Sequence, residues 1–425
     1  MFIKSGNNTV VKDTEVNLGW NGGMQLKSKV VLLFIVFVVL MLMTAGIILL
    51  RLTKSTEGEG TSYNSQQREP VVRSNGSWPM FHGEPRLGGY TQNILPDLLT
   101  VLWKFETNDE VKSSPVIDEG LVFIGSADSN VYAIDIENGK EVWRYKTGGG
   151  VEATACVVED LVFIGSSDSF LYALEVKTGQ LKWKYETGGK ILGSANRIRS
   201  DDGEDTLIIV GSYDNKLHCL SSEDGRVVWT YETDSYVNGT PAVEDGRIVF
   251  GGCDGLIHIV SAKDGAEINL IDAGAYIAGS AAIFNGQVYV GNYENAFIKA
   301  DINSGQMLWK YVESDSPYFS SPAVADGVVV FGGRDNHIQC LETDSGKVIW
   351  TFQTLGEVDS SPIICGDKVI AGCEDGRLYM VRLLDGSKVW SFETGRAIIS
   401  SPAVVDEIVI VGCNDGYVYA FGPKR

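Results

Sequence analysis

The sequence lacks the cysteine patterns of common metal and haem sites. Its seven cysteines form no Cys-x-x-Cys motif and no adjacent pair, which argues against a zinc knuckle and a covalently attached c-type haem. Histidine is also scarce, at four residues, and no Ser/His/Asp pattern for nucleophilic catalysis is present. The sequence therefore does not point to a common metal, haem or hydrolase site.

Basic side chains are fewer than acidic ones. The chain has 35 Lys and Arg against 55 Asp and Glu, for a net charge of −20. Such a body repels nucleic-acid phosphates and anionic lipid surfaces, which argues against both as partners. Helical periodicity is missing after residue 50, whereas glycine is abundant, at 49 residues. These features indicate a turn-rich globular β protein.

One long apolar run lies near the N-terminus. Residues 30–50 carry no charged side chain, and a helix of that length spans about 31 Å, close to one bilayer core. We expect an uncleaved transmembrane signal anchor at 30–50, a short cytoplasmic tail at 1–29 and a flexible linker at 51–77. This arrangement predicts a single-pass inner-membrane protein with its body outside the cytoplasm. A cleaved signal peptide is the alternative, with Met24 as a second possible start site.

Tryptophan recurs at a nearly fixed interval of 40 residues, with steps of 46 and 41 at two places. Asn269 occupies one position of this series. Each position from 143 onward is preceded by an acidic residue 15 positions earlier and by a glycine four positions earlier. The recurring tryptophans are Trp103, Trp143, Trp183, Trp229, Trp309, Trp350 and Trp390.

Each repeat holds four short alternating segments rich in β-branched and aromatic residues, separated by turn residues. This pattern predicts a four-stranded antiparallel meander. A unit of this size cannot bury both of its faces alone, so neighbouring units must cover it, as in a propeller. The recurring tryptophan is expected to dock each blade on the next one.

The two ends of the repeat region complement each other. Residues 398–421 supply three strands and no fourth, whereas residues 99–107 read as a fourth strand without the first three. We therefore predict an all-β, eight-bladed propeller over residues 78–425, with the last blade closed by strands from both ends.

The phrase Ala133-Ile-Asp135-Ile-Glu-Asn-Gly139, followed by Trp143, resembles the tryptophan-docking repeat of the pyrroloquinoline-quinone (PQQ) family of propellers. The segment Trp78-Pro-Met-Phe-His82-Gly also looks like the segment that leads into those propellers. One branch of this family contains calcium- and PQQ-dependent alcohol and glucose dehydrogenases. Another branch contains non-catalytic relatives, including an outer-membrane assembly factor. The chain is closer in character to the second branch, because it lacks the adjacent cysteines and the long loops of the first.

Several polar positions have a structural interpretation. The acidic residue of each repeat is expected to form a turn, and His218 and His258 stand where other repeats carry Tyr. Cys373 and Cys413 occupy equivalent positions, so a disulfide between them is an open alternative. Residues 199–206 form an acidic insertion that suggests a solvated loop, with a weak cation site as the alternative.

The middle repeats carry an unusual set of aromatic residues in the links and turns of one predicted face. Aromatic and arginine side chains on rigid loops are typical of binding surfaces, although these rings could simply cover the ends of the blades. The candidate patch for a partner or ligand consists of Tyr213, Tyr236, Tyr276, Tyr293, Tyr318, Phe319 and Arg334.

The leading functional hypothesis is a non-catalytic scaffold that binds envelope proteins, in outer-membrane protein assembly for example. No cofactor or metal is expected under this hypothesis. The first alternative is a membrane-bound alcohol or sugar dehydrogenase, which would require PQQ with Ca²⁺. The second alternative is a receptor for a glycan or another small ligand.

Overall fold

A computed structural model describes residues 76–200, 203–325 and 327–424. The predicted tail, the membrane anchor and nearly all of the linker lie outside these residues. Within the described ranges, no helix is long and apolar enough to cross a bilayer. The described chain forms β-strands and turns.

The first two strands, β1 (Tyr90–Thr91) and β2 (Thr100–Glu106), precede the blades. Blade 1 contains β3 (Val116–Asp118), β4 (Leu121–Gly125), β5 (Asn130–Asp135) and β6 (Glu141–Lys146). Blade 2 contains β7 (Cys156–Val158), β8 (Leu161–Gly165), β9 (Phe170–Glu175) and β10 (Leu181–Glu186). Blade 3 contains β11 (Asn196–Arg199), β12 (Thr206–Gly211), β13 (Lys216–Ser221) and β14 (Val227–Glu232). Blade 4 contains β15 (Ala242–Glu244), β16 (Arg247–Gly251), β17 (Leu256–Ser261) and β18 (Glu267–Asp272).

The second half of the ring repeats this order. Blade 5 contains β19 (Ala282–Phe284), β20 (Gln287–Gly291), β21 (Phe297–Asp301) and β22 (Met307–Tyr311). Blade 6 contains β23 (Ala323–Ala325), β24 (Val328–Gly333), β25 (His337–Glu342) and β26 (Val348–Gln353). Blade 7 contains β27 (Ile363–Cys365), β28 (Lys368–Gly372), β29 (Arg377–Arg382) and β30 (Lys388–Glu393). Blade 8 contains β31 (Ala403–Val405), β32 (Ile408–Gly412), β33 (Tyr417–Gly422) and, as its outer strand, β2.

Every blade is an antiparallel meander of four strands, so the eight-bladed prediction is confirmed for the described residues. In blade 7 the short strand β1 adds a fifth strand, parallel to β27. Closure occurs in blade 8, where β2 pairs with β33 from Thr100 opposite Gly422 to Glu106 opposite Tyr417. This pairing joins positions more than 300 residues apart. It completes the last blade, so that no blade of the ring lacks its outer strand.

Where the recurring tryptophan is present, it ties its blade to the next one. Trp143 donates its indole N–H to the carbonyl oxygen of Val176 at 2.8 Å, and its ring lies over Gly179. A Cβ at Gly179 would come within 2.5 Å of that ring, and the φ of +67° there also favours glycine. Equivalent hydrogen bonds to the next blade are donated by Trp103, Trp183, Trp229, Trp309 and Trp350.

Asn269 keeps the hydrogen bond of this position but not its ring. Its side-chain amide donates to the carbonyl oxygen of Ile302, the equivalent acceptor, at 3.4 Å and to that of the next residue, Asn303, at 2.9 Å. A Cβ at Gly305 would meet only Asn269, at 3.5 Å. The contact between blades 4 and 5 therefore lacks the indole surface that the tryptophans supply elsewhere.

A closed ring of hydroxyl groups joins the inner ends of the blades. Each buried hydroxyl stands two residues before an innermost strand and accepts a hydrogen bond from the backbone N–H of the equivalent residue in the preceding blade. The donor–acceptor distances are 2.8–3.2 Å, and Ser401 donating to Ser114 closes the circle. The acceptors are Ser114, Thr154, Ser194, Thr240, Ser280, Ser321, Ser361 and Ser401.

The segment before the first blade lies inside the ring, and we name residues 78–91 the inner strap. In six blades the middle residue of the innermost strand donates its backbone N–H to a strap carbonyl oxygen, at 2.7–2.9 Å. In blade 3 the side-chain amide of Asn196 donates instead, to Pro85 at 2.8 Å. The strap thus satisfies donors on the inner edge of seven blades. The donor residues of the six are Ile117, Val157, Val243, Ile283, Val324 and Ile364.

His82 shows how closely the strap is packed. Its Nδ1 lies 3.1 Å from the carbonyl oxygen of Leu87, and its ring stacks on Phe81. Complete burial lowers the pKa of His82 to about 4, because a charged imidazole would lose its hydration there. His82 is therefore a neutral packing residue near pH 7.

The hydroxyl ring generates a stability prediction. Ser361→Ala would leave the buried N–H of Ser321 without an acceptor, so we expect the free energy of unfolding to fall by about 1–3 kcal/mol. Ser361→Thr keeps the hydroxyl, as the native Thr154 and Thr240 do, and should unfold close to the wild type. Urea denaturation of the full chain in detergent makes the comparison, and equal losses in both variants would contradict a hydrogen-bonding role.

Candidate functional site

One face of the propeller is built from the links between blades and from the turns between the second and third strands of each blade. We name it the link face. In all eight blades the third residue of the turn, counted from the glycine that begins it, donates its backbone N–H to a carbonyl oxygen of the preceding link. In blade 5, for example, Tyr293 donates to Tyr276 at 2.8 Å. These bonds fix the loop tips of the link face relative to one another.

The recurring acidic residue is part of this turn. In blade 2, Asp168 accepts hydrogen bonds from the backbone N–H of Phe170 at 3.1 Å and from the Tyr172 hydroxyl at 2.6 Å. It also accepts the backbone N–H of Gly148, in the preceding link, at 2.6 Å. Asp128, Asp375 and Asp415 accept the equivalent tyrosine hydroxyls. The side chain therefore connects turn, strand and link.

His218 and His258 take the tyrosine position in blades 3 and 4. Nε2 of His218 lies 3.0 Å from Asp214, and its Nδ1 lies 3.2 Å from the Tyr185 hydroxyl. Burial lowers the pKa of His218. His258 has the same two kinds of partner, Asp254 and Tyr231. Since both ring nitrogens of each histidine are engaged, neither side chain offers a ready metal ligand.

The hypothesis of a disulfide between Cys373 and Cys413 is wrong, because all seven cysteines are free thiols. The Cys373 thiol donates toward the carbonyl oxygens of Gly356 and Glu357, at 3.3 Å each. Burial raises the pKa of both thiols to about 12. In blade 1 the Ser126 hydroxyl makes the equivalent hydrogen bond to a carbonyl oxygen of the link. The two thiols therefore replace this serine hydroxyl in blades 7 and 8.

Among the candidate aromatic residues, Tyr213 and Tyr236 form a stacked pair. Their ring centroids are 4.6 Å apart and their planes differ by 4°. The Tyr213 hydroxyl donates to the side-chain oxygen of Asn238 at 3.1 Å. Tyr236 remains 47 % exposed, so the pair presents a ring to solvent.

A second aromatic group runs from blade 4 to blade 6, and we name it the aromatic ladder. It consists of Tyr276, Tyr293 and Phe319, with centroid separations of 6.2 Å and 5.5 Å between successive rings. The Arg334 guanidinium lies over Phe319, 4.0 Å from the ring centroid. Tyr276 and Tyr293 are 58 % and 54 % exposed. The ladder is therefore an open aromatic surface with a cation at one end.

Carboxylates surround that cation. Asp359 accepts two hydrogen bonds from Arg334, at 2.6 Å and 3.0 Å, and Glu357 lies 3.2 Å from the same guanidinium. Glu374 completes a group whose ligand oxygens lie within 4.8 Å of one another. Burial, together with the charges of Asp359 and Glu357, raises the pKa of Glu374. Three carboxylates thus face one guanidinium.

The prediction that Tyr318 belongs to the exposed patch is wrong, because the structure places its side chain in the core with no exposed surface. The interval from Trp309 to Trp350 contains one extra residue, which shifts the link by one position. Tyr318 consequently packs on Gly291 as Ile277 packs on Gly251 in the preceding blade. Its ring meets Phe331 edge-on at 5.1 Å.

The acidic insertion connects β11 to β12. The backbone N–H of Asp205 donates to the Ser200 hydroxyl at 2.9 Å within it. Asp201 and Asp202 lie outside the described residues, so the predicted cation site in this loop remains a prediction.

The dehydrogenase alternative requires a site for calcium and a quinone, and the described residues offer one group of carboxylates with the spacing of a metal site. The described carboxylates with metal-like spacing are Glu357, Asp359 and Glu374, and the bidentate Arg334 already neutralises part of their charge. The hydroxyls around the centre of the ring are occupied as acceptors of backbone N–H groups. Both the carboxylates and the hydroxyls therefore form hydrogen bonds between neighbouring blades.

Comparison with known proteins agrees with this architecture. Residues 194–425 match the family model described as "Beta-alanine-activating enzyme, beta-propeller", and residues 100–203 match the model "Outer membrane protein assembly factor BamB". The chain belongs to the PQQ-like β-propeller family. No curated protein sequence matches it significantly.

Several solved structures resemble the chain at low sequence identity. The computationally designed Ika8 protein is 17% identical, with a TM-score of 0.67, over 78% of this chain and 100% of that one. BamB from Moraxella catarrhalis is 19% identical, with a TM-score of 0.65, over 77% and 98%. The quinohemoprotein alcohol dehydrogenase from Comamonas testosteroni is 13% identical, with a TM-score of 0.69, over 82% and 81%. At these identities the likeness shows the fold alone.

The shifted link gives a paired prediction. Tyr318→Ala removes a buried ring from the core and should lower the free energy of unfolding by about 3–5 kcal/mol. Tyr276→Ala removes an exposed ring and should change it by about 0.5 kcal/mol or less. Chemical denaturation of the two variants side by side makes the test. A loss for Tyr276→Ala as large as that for Tyr318→Ala would show that Tyr276 also belongs to the core.

Proposed function

We propose that this protein is a membrane-anchored, extracytoplasmic scaffold that binds envelope proteins through its link face. The observation that carries the proposal is the exposed aromatic ladder on loops that backbone hydrogen bonds hold in place. Exposed tyrosines on a rigid support lose little entropy on binding and are common anchors of protein interfaces.

Two further observations support this role. Residues 30–50 are apolar and long enough for a bilayer anchor, which would keep the propeller at a membrane surface. Residues 100–203 match the model of an outer-membrane assembly factor. The alternatives stay open to experiment, because sugars also stack on exposed tyrosines and because the fold is shared with a quinoprotein dehydrogenase.

The test uses site-specific photo-crosslinking in native membranes. The full chain would carry a photoreactive phenylalanine analogue at Tyr276 or Tyr293, with the same analogue at Leu384 as the matched control. Leu384 is 85 % exposed and lies in a turn of blade 7 on the opposite face. We expect protein adducts from the two ladder positions and none from Leu384.

Two results would overturn the scaffold role. One is a quinone absorption band with dye-linked alcohol or sugar oxidation after the purified chain is mixed with PQQ and Ca²⁺. The other is the absence of protein adducts at both ladder positions, together with glycan binding that Tyr276→Ala abolishes.

A further inference from the structure

One ring of the ladder, Phe319, already holds a cation, the guanidinium of Arg334. Under the proposed function, this contact suggests which chemical groups of a partner the other rings would bind. Arg334 lies over Phe319 at 4.0 Å and is clamped by Asp359 and Glu357. A guanidinium between an aromatic face and carboxylates combines cation–π attraction with charge-assisted hydrogen bonds. The link face is therefore already shaped, at one position, to hold an arginine head group.

The next two rings of the ladder, Tyr276 and Tyr293, carry no cation. Among the described residues, no lysine or arginine lies over Tyr276 or Tyr293, although other rings of the chain carry one. Both tyrosines have more than half of their surface exposed. Their open faces can accept an ammonium or guanidinium group from another molecule.

The charge around the ladder is not balanced. Glu357, Asp359 and Glu374 face the single guanidinium of Arg334, and the like charges raise the pKa of Glu374 together with its burial. Glu294, next to Tyr293 in the chain, adds an exposed carboxylate, whereas the Lys310 ammonium lies near Gly274 in the link that carries Tyr276. A partner with positive charge would relieve this repulsion and be steered toward the face.

We propose that the link face between blades 4 and 7 binds a lysine- or arginine-bearing segment of a partner protein, with its cationic groups over Tyr276 and Tyr293 and beside Glu357 and Glu374. This inference rests on the scaffold function and specifies the chemistry of its partner. A polyamine and an uncharged aromatic segment are the competing occupants.

Binding of defined peptides to the full chain in detergent tests the inference by isothermal titration calorimetry. The probes are a decapeptide of alternating Arg and Gly, the same peptide with Glu for Arg, and one with Leu for Arg. We expect binding of the arginine peptide only, with an affinity that falls as salt increases. Spermine should compete weakly, because it supplies charge without a peptide backbone.

Two double variants and one control locate the site. Tyr276→Ala with Tyr293→Ala should weaken binding of the arginine peptide about tenfold, as expected for two exposed cation–π contacts. Glu357→Gln with Glu374→Gln should weaken it and flatten its salt dependence, while Asp359 still holds Arg334. Leu384→Ala, on the opposite face, should change nothing.

The outcomes separate the inference from the scaffold function. Preference for the leucine peptide, with loss of binding in the tyrosine variant, would overturn the cationic chemistry and leave the docking face in place. Spermine binding as tight as that of the arginine peptide would also overturn a protein segment as the occupant. Failure of every peptide, with no photo-crosslinks at Tyr276 or Tyr293, would overturn both proposals.

Discussion

Closure of the ring is the constraint on which the rest of this structure depends. The pairing of β2 with β33 supplies the fourth strand of blade 8 and places the first and last blades side by side. It also allows the N–H of Ser401 to reach the hydroxyl of Ser114, so that the inner circle of hydrogen bonds has no end. Each bond of such a circle is individually modest, but a break at one blade would expose the buried edges of its neighbours. The inner strap adds to this constraint, because it takes hydrogen bonds from the inner edges of seven blades.

The sequence predicts the number and order of the blades because their determinants are local and repeated. Trp143 and Gly179 recur at fixed spacing, and their contact between adjacent blades follows from that spacing. The hydroxyl ring has a similar signal that the repeat spacing alone does not bring out, namely a Ser or Thr 11 residues after each position of the tryptophan series, or 12 residues after Trp309. A uniform repeat places Tyr318 on the surface, because it does not account for the one-residue insertion in the link. The fixed intervals thus predict the number and order of the blades. An insertion of one residue into a link changes which of its side chains is buried.

Contacts between the loops of different blades are less predictable. The pairing of Arg334 with Asp359 joins the turn of one blade to the following link, and the order of residues does not reveal how closely these loops approach. The path of the strap is similarly hidden, because its contacts are made by backbone atoms. Arg334 and the tyrosines were nevertheless assigned to one face from meander geometry, and the structure brings Tyr276, Tyr293, Phe319 and Arg334 into one continuous group. Their role as a binding surface remains a proposal.

If the ring presents its link face to a basic partner segment, a bound arginine peptide must protect that face and leave the opposite face unchanged. Hydrogen–deuterium exchange of the full chain, with and without saturating arginine peptide, measures this difference. We expect slower exchange in residues 273–278, 292–296, 333–336 and 373–376, which belong to the link face. We expect no change in the turns of the opposite face, such as residues 383–387. Protection confined to the opposite face, or equal protection of both faces, would contradict binding at the link face.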